Sequence, residues 1–297
     1  MIITGKKFSK PTMSRVINGD IKLKTSEDQP QKVRLDHLLV QKYPTYNRST
    51  LQTFIRSGFV TVDGTVSQKP NSKHLATANV VLSVPSSNKA TNCKPLPIIY
   101  EDENVLVVDK PAGLLSMAKG SYCPEPTLEN YGLLVHRLDR DTSGVVILAK
   151  TPETQSFLRK QFQERKAHKV YNAIVVGRPK LNEAKIDLPI ARNLKRPTTF
   201  QVDPNGKPSI TYYKVLSQNA NHSLLELRPV TGRTHQLRVH LKYLGTPILG
   251  DRVYGTPQTQ VPRLFLHAKS LEITLPGGVR KTFVSTLPPD FNQALSA

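Results

Sequence analysis

Residues 133–150, LLVHRLDRDTSGVVILAK, constrain the fold more than any other part of the chain. His136, Arg137, Asp139, Arg140 and Asp141 place five ionisable side chains in six positions, between two apolar runs that read as core. Apolar runs of this length, bounded by turn formers, suit buried strands. Thr142, Ser143 and Gly144 supply the turn chemistry that lets a chain re-enter a sheet. The charged stretch is therefore predicted to be a loop at the edge of a rigid sheet, where functional side chains are commonly mounted. The plainer alternative is a surface turn whose arginines and aspartates pair with one another.

Around this loop, alternating apolar runs outnumber helical ones. VLVVDK, VYNAIVV, SLLELRP, RLFLHAKSLEIT and KTFVSTLP read as strands, the last two closing the sheet. TPETQSFLRKQFQERK reads as an amphipathic helix with Phe157, Leu158 and Phe162 on one side. RPVTGRTHQLRVHLKYLG reads as strand, loop and helix, broken at Gly232. The pattern predicts an α+β domain over 97–297 with a largely antiparallel sheet and flanking helices.

Ahead of it, 86–96 is a polar linker and 33–85 a small α/β module. In that module VRLDHLLVQK forms a helix stopped by Pro44. A second helix is capped by Asn47 or Ser49 and ended at Gly58, and a hairpin turns at Asp63-Gly64. Arg34, Arg48, Arg56, Lys69 and Lys73 are expected to face solvent. Residues 1–32 are polar, basic and aperiodic, as in a flexible arm, and lack the apolar stretch of a signal peptide.

Charge narrows the function. The 297 residues carry 42 Lys and Arg against 22 Asp and Glu, a formal net charge of +20, which points to a polyanionic partner and most simply to nucleic acid. No stretch approaches a membrane span, and the two cysteines, Cys93 and Cys123, form no metal or disulfide pattern. A cytoplasmic protein without metal or cofactor is expected. Walker, GxGxxG and GxSxG motifs are absent, and the eight histidines show no ligand spacing.

Three clusters carry chemistry: the HRLDRD loop, the run Arg228, Arg233, His235, Arg238 and His240, and Tyr171 within a strand. Arginines around a helix start make an anion site, while a lone strand tyrosine is more often core. Two rivals stand at this level. A glycosidase using Asp139 and Asp141 would need carboxyls roughly 5–10 Å apart, but the low aromatic content, 6% with no Trp, argues against a sugar cleft. A non-catalytic RNA-binding protein is the other.

VLVVDKPAGLL, HRLDRDTSGVVILAK, GRTHQLRVHLKYLGTPILGD and RLFLHAKSLEI, in that order, resemble the signature segments of the RluA-type pseudouridine synthases. RLDHLL, NRSTLQTFIRSG and FVTVDG resemble the small RNA-binding domain named after ribosomal protein S-four. The resemblance implies isomerisation of uridine in RNA, most simply large-subunit ribosomal RNA with transfer RNA as the alternative, by a monomer. It implies Asp139 as nucleophile or base, Arg233 as its ion-pair partner and Tyr171 against the uracil. The target base would be flipped out, with Arg137 filling its space. Arg140, His235, Gln236 and Arg238, with Arg34, Arg48 and Lys69 of the first module, would contact RNA.

Overall fold

The computed structural model describes residues 32–83, 93–118, 123, 125–255 and 261–296. The expected arm up to residue 31 and the linker up to residue 92 lie outside the described residues. The chain divides into two compact units, Met1–Val84 and Pro85–Ala297.

The first unit runs β1 (Lys32–Arg34), α1 (Leu35–Lys42), α2 (Arg48–Arg56), β2 (Val60–Val62), β3 (Thr65–Val66), β4 (Lys73–Leu75) and β5 (Val80–Leu82). Its boundaries follow local chemistry. Asn47 Oδ1 accepts the Thr50 amide at 2.9 Å and so caps α2. Gly58 at φ +78° ends that helix, and Asp63 and Gly64, both at positive φ, turn β2 into β3. Leu35, Leu39, Leu51, Phe54 and Ile55 form a fully buried seam between the helices. Beside it lies Asp36, also fully buried. It accepts from Arg34 Nε (3.0 Å), Arg48 Nη2 (2.8 Å) and Gln52 Nε2 (2.7 Å). Although burial opposes ionisation, these donors hold Asp36 well below the usual carboxylate range.

The second unit is a mixed α+β fold around a large, mostly antiparallel sheet. Its elements are β6 (Ile98–Glu101), β7 (Val105–Lys110), β8 (Leu133–Leu134), β9 (Ser143–Ala149), α3 (Pro152–Gln163), β10 (His168–Val176), β11 (Glu183–Asp187), β12 (Ile190–Arg192) and β13 (Phe200–Val202). The chain continues through β14 (Ile210–Gln218), β15 (His222–Pro229), α4 (Gln236–Tyr243), β16 (Leu266–Thr274), β17 (Arg280–Val284) and α5 (Pro289–Ser296). The strand order is β11-β14-β15-β10-β16-β9-β7-β6, with β17 on β16 and β8 on β9. Leu237 and Leu241 of α4 pack on β10, β14 and β15, and Leu158 of α3 packs among β7, β9 and β16.

Strand β16 was expected to close the sheet, yet it lies inside it, between β10 and β9. It meets β9 in parallel for only two residue pairs, His267↔Ser143 and Ala268↔Gly144. Beyond that seam β9 continues against β7 and β8, while β16 continues against β17. Gly144 makes the approach possible. Its φ is +112°, and a Cβ there would lie 2.2 Å from the Ala268 carbonyl oxygen.

Two other expectations need correction. Phe157 is exposed, because Thr154, Leu158 and Gln161 form the inward stripe of α3. LLV is not a buried strand: β8 spans two residues at the end of β9 and Leu133 is exposed.

Candidate active site

The loop from 135 to 142 leads directly into the start of β9, where β9 pairs with β16. Its backbone is clamped on both sides of Asp139. Ser116 Oγ donates to the Leu138 carbonyl (2.8 Å) and accepts its amide (3.1 Å). Lys110, fully buried, donates to the carbonyls of Pro111 (2.9 Å), Leu114 (2.8 Å) and Arg140 (2.9 Å). Burial pushes the Lys110 ammonium down to about 7, against the pull of Asp141 and Asp139. The Thr142 amide closes a turn on the Asp139 carbonyl at 3.1 Å. His136 anchors the incoming strand: its ring stacks on Phe162 and accepts the Ile147 amide at Nε2.

Asp139 opens into a cleft of about 490 Å³ lined by the loop, the end of α3, Lys169 and Tyr171 of β10, and residues 229–238. Arg238, in the first turn of α4, faces inward. Its Nη1 donates to Asp139 Oδ2 at 3.1 Å, while Nε and Nη2 both reach Asp251 at 2.8 Å. Burial opposes the Arg238 charge, but the bonds to Asp251 and the field of Asp139 raise its pKa. Asp251 is oriented in turn by the amides of Val253 (2.9 Å) and Tyr254 (3.0 Å). The Tyr254 ring lies under the Arg238 guanidinium at 5.1 Å, and its hydroxyl bonds His235 Nδ1 at 2.8 Å.

His235 sits at φ +55° with Nε2 3.9 Å from Asp139. Burial lowers its pKa, with Asp139 pulling the other way. Tyr171 shares the cleft; burial first, then the Asp139 charge, pushes its hydroxyl up, so it keeps its proton at neutral pH.

The ion pair expected between Arg233 and Asp139 is made by Arg238 instead. Arg233 precedes α4, its amide is bound by Gln236 Oε1 (3.0 Å), and its exposed guanidinium turns to the Pro208 carbonyl (3.3 Å). Arg238, expected to contact RNA, is buried and held by two carboxylates instead. Gln236 is likewise not an RNA contact: it is buried, accepts from Thr231 and Arg233, and donates to Ile210 and Thr211. Arg34 and Arg48 are half-exposed but tied to Asp36 rather than free.

Arg137 spans the cleft to Thr234 Oγ1 at 3.4 Å, and Arg140 pairs with Glu125 at 2.8 Å. Lys69 is exposed in the first unit. Asp141 is exposed and does not line the cleft, so the two carboxylates do not converge there.

Sequence reasoning missed Asp251, Tyr254, Lys169 and the clamping role of Lys110. The one local signal was GDRVYG, an aspartate whose second and third following amides can fold back on it. Among the described residues no group of three or more His, Cys, Asp or Glu is arranged to hold a metal ion, and no helix is long and apolar enough to cross a membrane. A carboxylate steered by a buried arginine, beside a protonated tyrosine in a cation-lined cleft, is equipped for nucleophilic or base chemistry on an anionic, ring-bearing substrate.

Comparison with known proteins agrees with that chemistry. The profile of a family described as RNA pseudouridylate synthase matches residues 104–243. An uncharacterized RNA pseudouridine synthase of Aquifex aeolicus is 38% identical over 258 residues, 80% of this chain and 81% of that protein. Ribosomal large subunit pseudouridine synthase D of Pseudomonas aeruginosa is 36% identical over 294 residues, 89% of this chain and 91% of that protein. The structure titled human RNA pseudouridylate synthase domain containing 1 superimposes with a TM-score of 0.56 at 28% identity, covering 72% of this chain and 98% of that one.

Proposed function

The chain belongs to the RNA pseudouridylate synthase family and is an RNA pseudouridine synthase, an isomerase; from that premise we propose that it modifies large-subunit ribosomal RNA, with Asp139 as the reacting carboxylate. The observation that carries the site assignment is the Asp139 carboxylate, fixed by Arg238 and opening beside Tyr171 into the cleft.

In the reaction the bond between the sugar and uracil nitrogen-1 breaks, the base turns, and carbon-5 bonds to the sugar. Asp139 either attacks the anomeric carbon or removes the neighbouring 2′ proton. Arg238 holds its geometry and supplies the compensating charge. Tyr171 enters as a neutral hydroxyl, so in the ground state it packs against the uracil and donates a hydrogen bond rather than standing as a base. Reaching a base within a helix requires flipping it out at a cost of a few kcal/mol. Arg137, at the cleft mouth, fills the vacated space.

The helix–helix–hairpin unit ahead of this domain acts as an S-four-type RNA-binding module, with Lys69 among its free cations. The ribosomal target is favoured by the likeness to large-subunit enzymes over most of both chains. Asp139→Asn should leave the fold intact and cut single-turnover pseudouridine formation by at least about 10³-fold, the scale expected when a reacting group is removed. Wild-type turnover in that variant would sink the assignment. Mapping pseudouridine in large-subunit and transfer RNA from cells with and without the protein identifies the substrate; a site missing only from transfer RNA would overturn the ribosomal reading.

A further inference from the structure

Lys169 lines the cleft, yet the catalytic assignment does not use it. It stands on β10 two positions before Tyr171, so both side chains leave the same face of the strand. It is half-buried, and its side-chain ammonium makes no hydrogen bond or ion pair among the described residues. Burial lowers its pKa, and no carboxylate offsets the loss. The ammonium stands in the cleft it shares with Tyr171. There it approaches the 229–234 loop: a Cβ on Gly232 would lie 3.7 Å from its Nζ. Burial first, and then the Lys169 charge, depress His136 to about 3.

A second cation borders the same cleft. Arg165, just beyond α3, lines the cleft and takes the left-handed conformation at φ +58°. A residue with a Cβ is disfavoured there, and glycine would be at ease. Its exposed side chain has no hydrogen-bond or ion-pair partner among the described residues. The left-handed turn at Arg165 is the C-terminal cap of α3, closed by the Lys166 amide on Gln161 (2.8 Å) and the Arg165 amide on Phe162 (3.3 Å), and it delivers the Arg165 side chain to the cleft. A half-buried lysine and an exposed arginine, neither paired with a carboxylate, leave this part of the cleft open to an anion. In RNA, the anion available one step away from the reacting sugar is a backbone phosphate.

We propose that Lys169 and Arg165 form a seat for the phosphate of a nucleotide flanking the isomerised uridine, separate from the Asp139–Arg238 pair. The seat rests on the reading that the target RNA enters this cleft. Lys169 fixes the strand's register over Tyr171, and Arg165 guides the backbone at the mouth.

The test is the salt dependence of binding to a transcribed large-subunit ribosomal RNA between 50 and 200 mM KCl, alongside single-turnover kinetics. Each phosphate contact adds about 0.7–0.9 to the slope of log affinity against log salt. Lys169→Met and Arg165→Gly should each lower the slope by about that amount and raise the half-saturating RNA concentration several-fold. The half-saturating RNA concentration should change more than the saturated rate, and Lys169→Arg should keep the wild-type slope. Arg165→Gly should also melt higher than wild type, since glycine accepts its backbone, so loss of binding in that variant is not loss of fold. Should Lys169→Met not fold, Lys169→Arg and Arg165→Gly decide. Unchanged slopes overturn the seat, as does a Lys169→Met whose saturated rate falls while its slope stays, because the cation would then act on the base. Wild-type enzyme that leaves the transcript unmodified and binds it without salt dependence overturns the substrate assignment instead.

Discussion

Replacing Arg238 by lysine keeps the positive charge but removes its span. Three nitrogens of the guanidinium serve two carboxylates: Nε and Nη2 on Asp251, each at 2.8 Å, and Nη1 on Asp139 at 3.1 Å. A single ammonium can meet one of these acceptors, so two charge-assisted bonds are lost. The Arg238 side chain is 8% exposed and Asp251 wholly buried, so solvent screens little of the difference. At about 1.5 kcal/mol per bond, the low end for charged partners, Arg238→Lys should cost roughly 3 kcal/mol. In a unit of this size that lowers the melting temperature by about 6–12 °C. Arg238→Met leaves the buried Asp251 charge with only its two backbone amides and should cost about 3–5 kcal/mol. Arg233→Ala, at an exposed group bonded only to a carbonyl, should change stability by less than about 0.5 kcal/mol.

Thermal melts by circular dichroism, paired with single-turnover pseudouridine formation, separate these cases. Arg238→Lys should lose stability and activity together, because Asp139 loses its geometry. Arg233→Ala should lose neither fold nor saturated rate. If Arg238→Lys melts with the wild type and keeps its rate, or Arg233→Ala destabilises as Arg238→Met should, the two-carboxylate bridge is not what holds the site.

Gly144→Ala should cost at least about 3 kcal/mol and abolish activity, since a Cβ at φ +112° is strained and would collide with Ala268; a variant that melts within about 1 kcal/mol of wild type would refute the seam's geometry. Lys110→Met should cost about 2–3 kcal/mol by orphaning three carbonyls at roughly 1 kcal/mol each, read from urea unfolding. In the first unit the folded pKa of Asp36 lies below its unfolded value, so its stabilisation is complete above about pH 4 and is lost as pH falls further. Amide protection over 35–56, corrected for the intrinsic exchange rate, should therefore fall below pH 4 in the wild type. Asp36→Asn should exchange fast already at neutral pH and show no such acid step; equal protection at neutral pH would refute it.

What was legible in the sequence was local. The Asn47 cap, the Asp63-Gly64 turn and the strand after Gly144 are written in neighbouring residues. The same holds for the loop character of HRLDRD and the basic surplus that marks an RNA partner. What escaped depended on pairings across long separations. Whether Arg233 or Arg238 reaches Asp139 turns on where α4 begins. That start is set by Gln236, whose side chain binds Thr231, Thr211 and Ile210 from other elements. Asp251 is invisible as a partner until α4 and the loop after residue 248 are folded together. The central place of β16 is a matter of strand order, which alternation within a strand cannot encode.

The short seam between β9 and β16 also sets a timetable. Ser143 and Gly144 must wait for His267 and Ala268, more than a hundred residues later, before the opening that holds Asp139 exists. Pairings this distant in sequence form late, after closer contacts have reduced the entropy of closing the loop. A chain emerging from the ribosome therefore carries Asp139, Tyr171 and Arg238 for some time without an assembled site. The opening that holds Asp139 is therefore complete only once β16 has been made and has paired with β9.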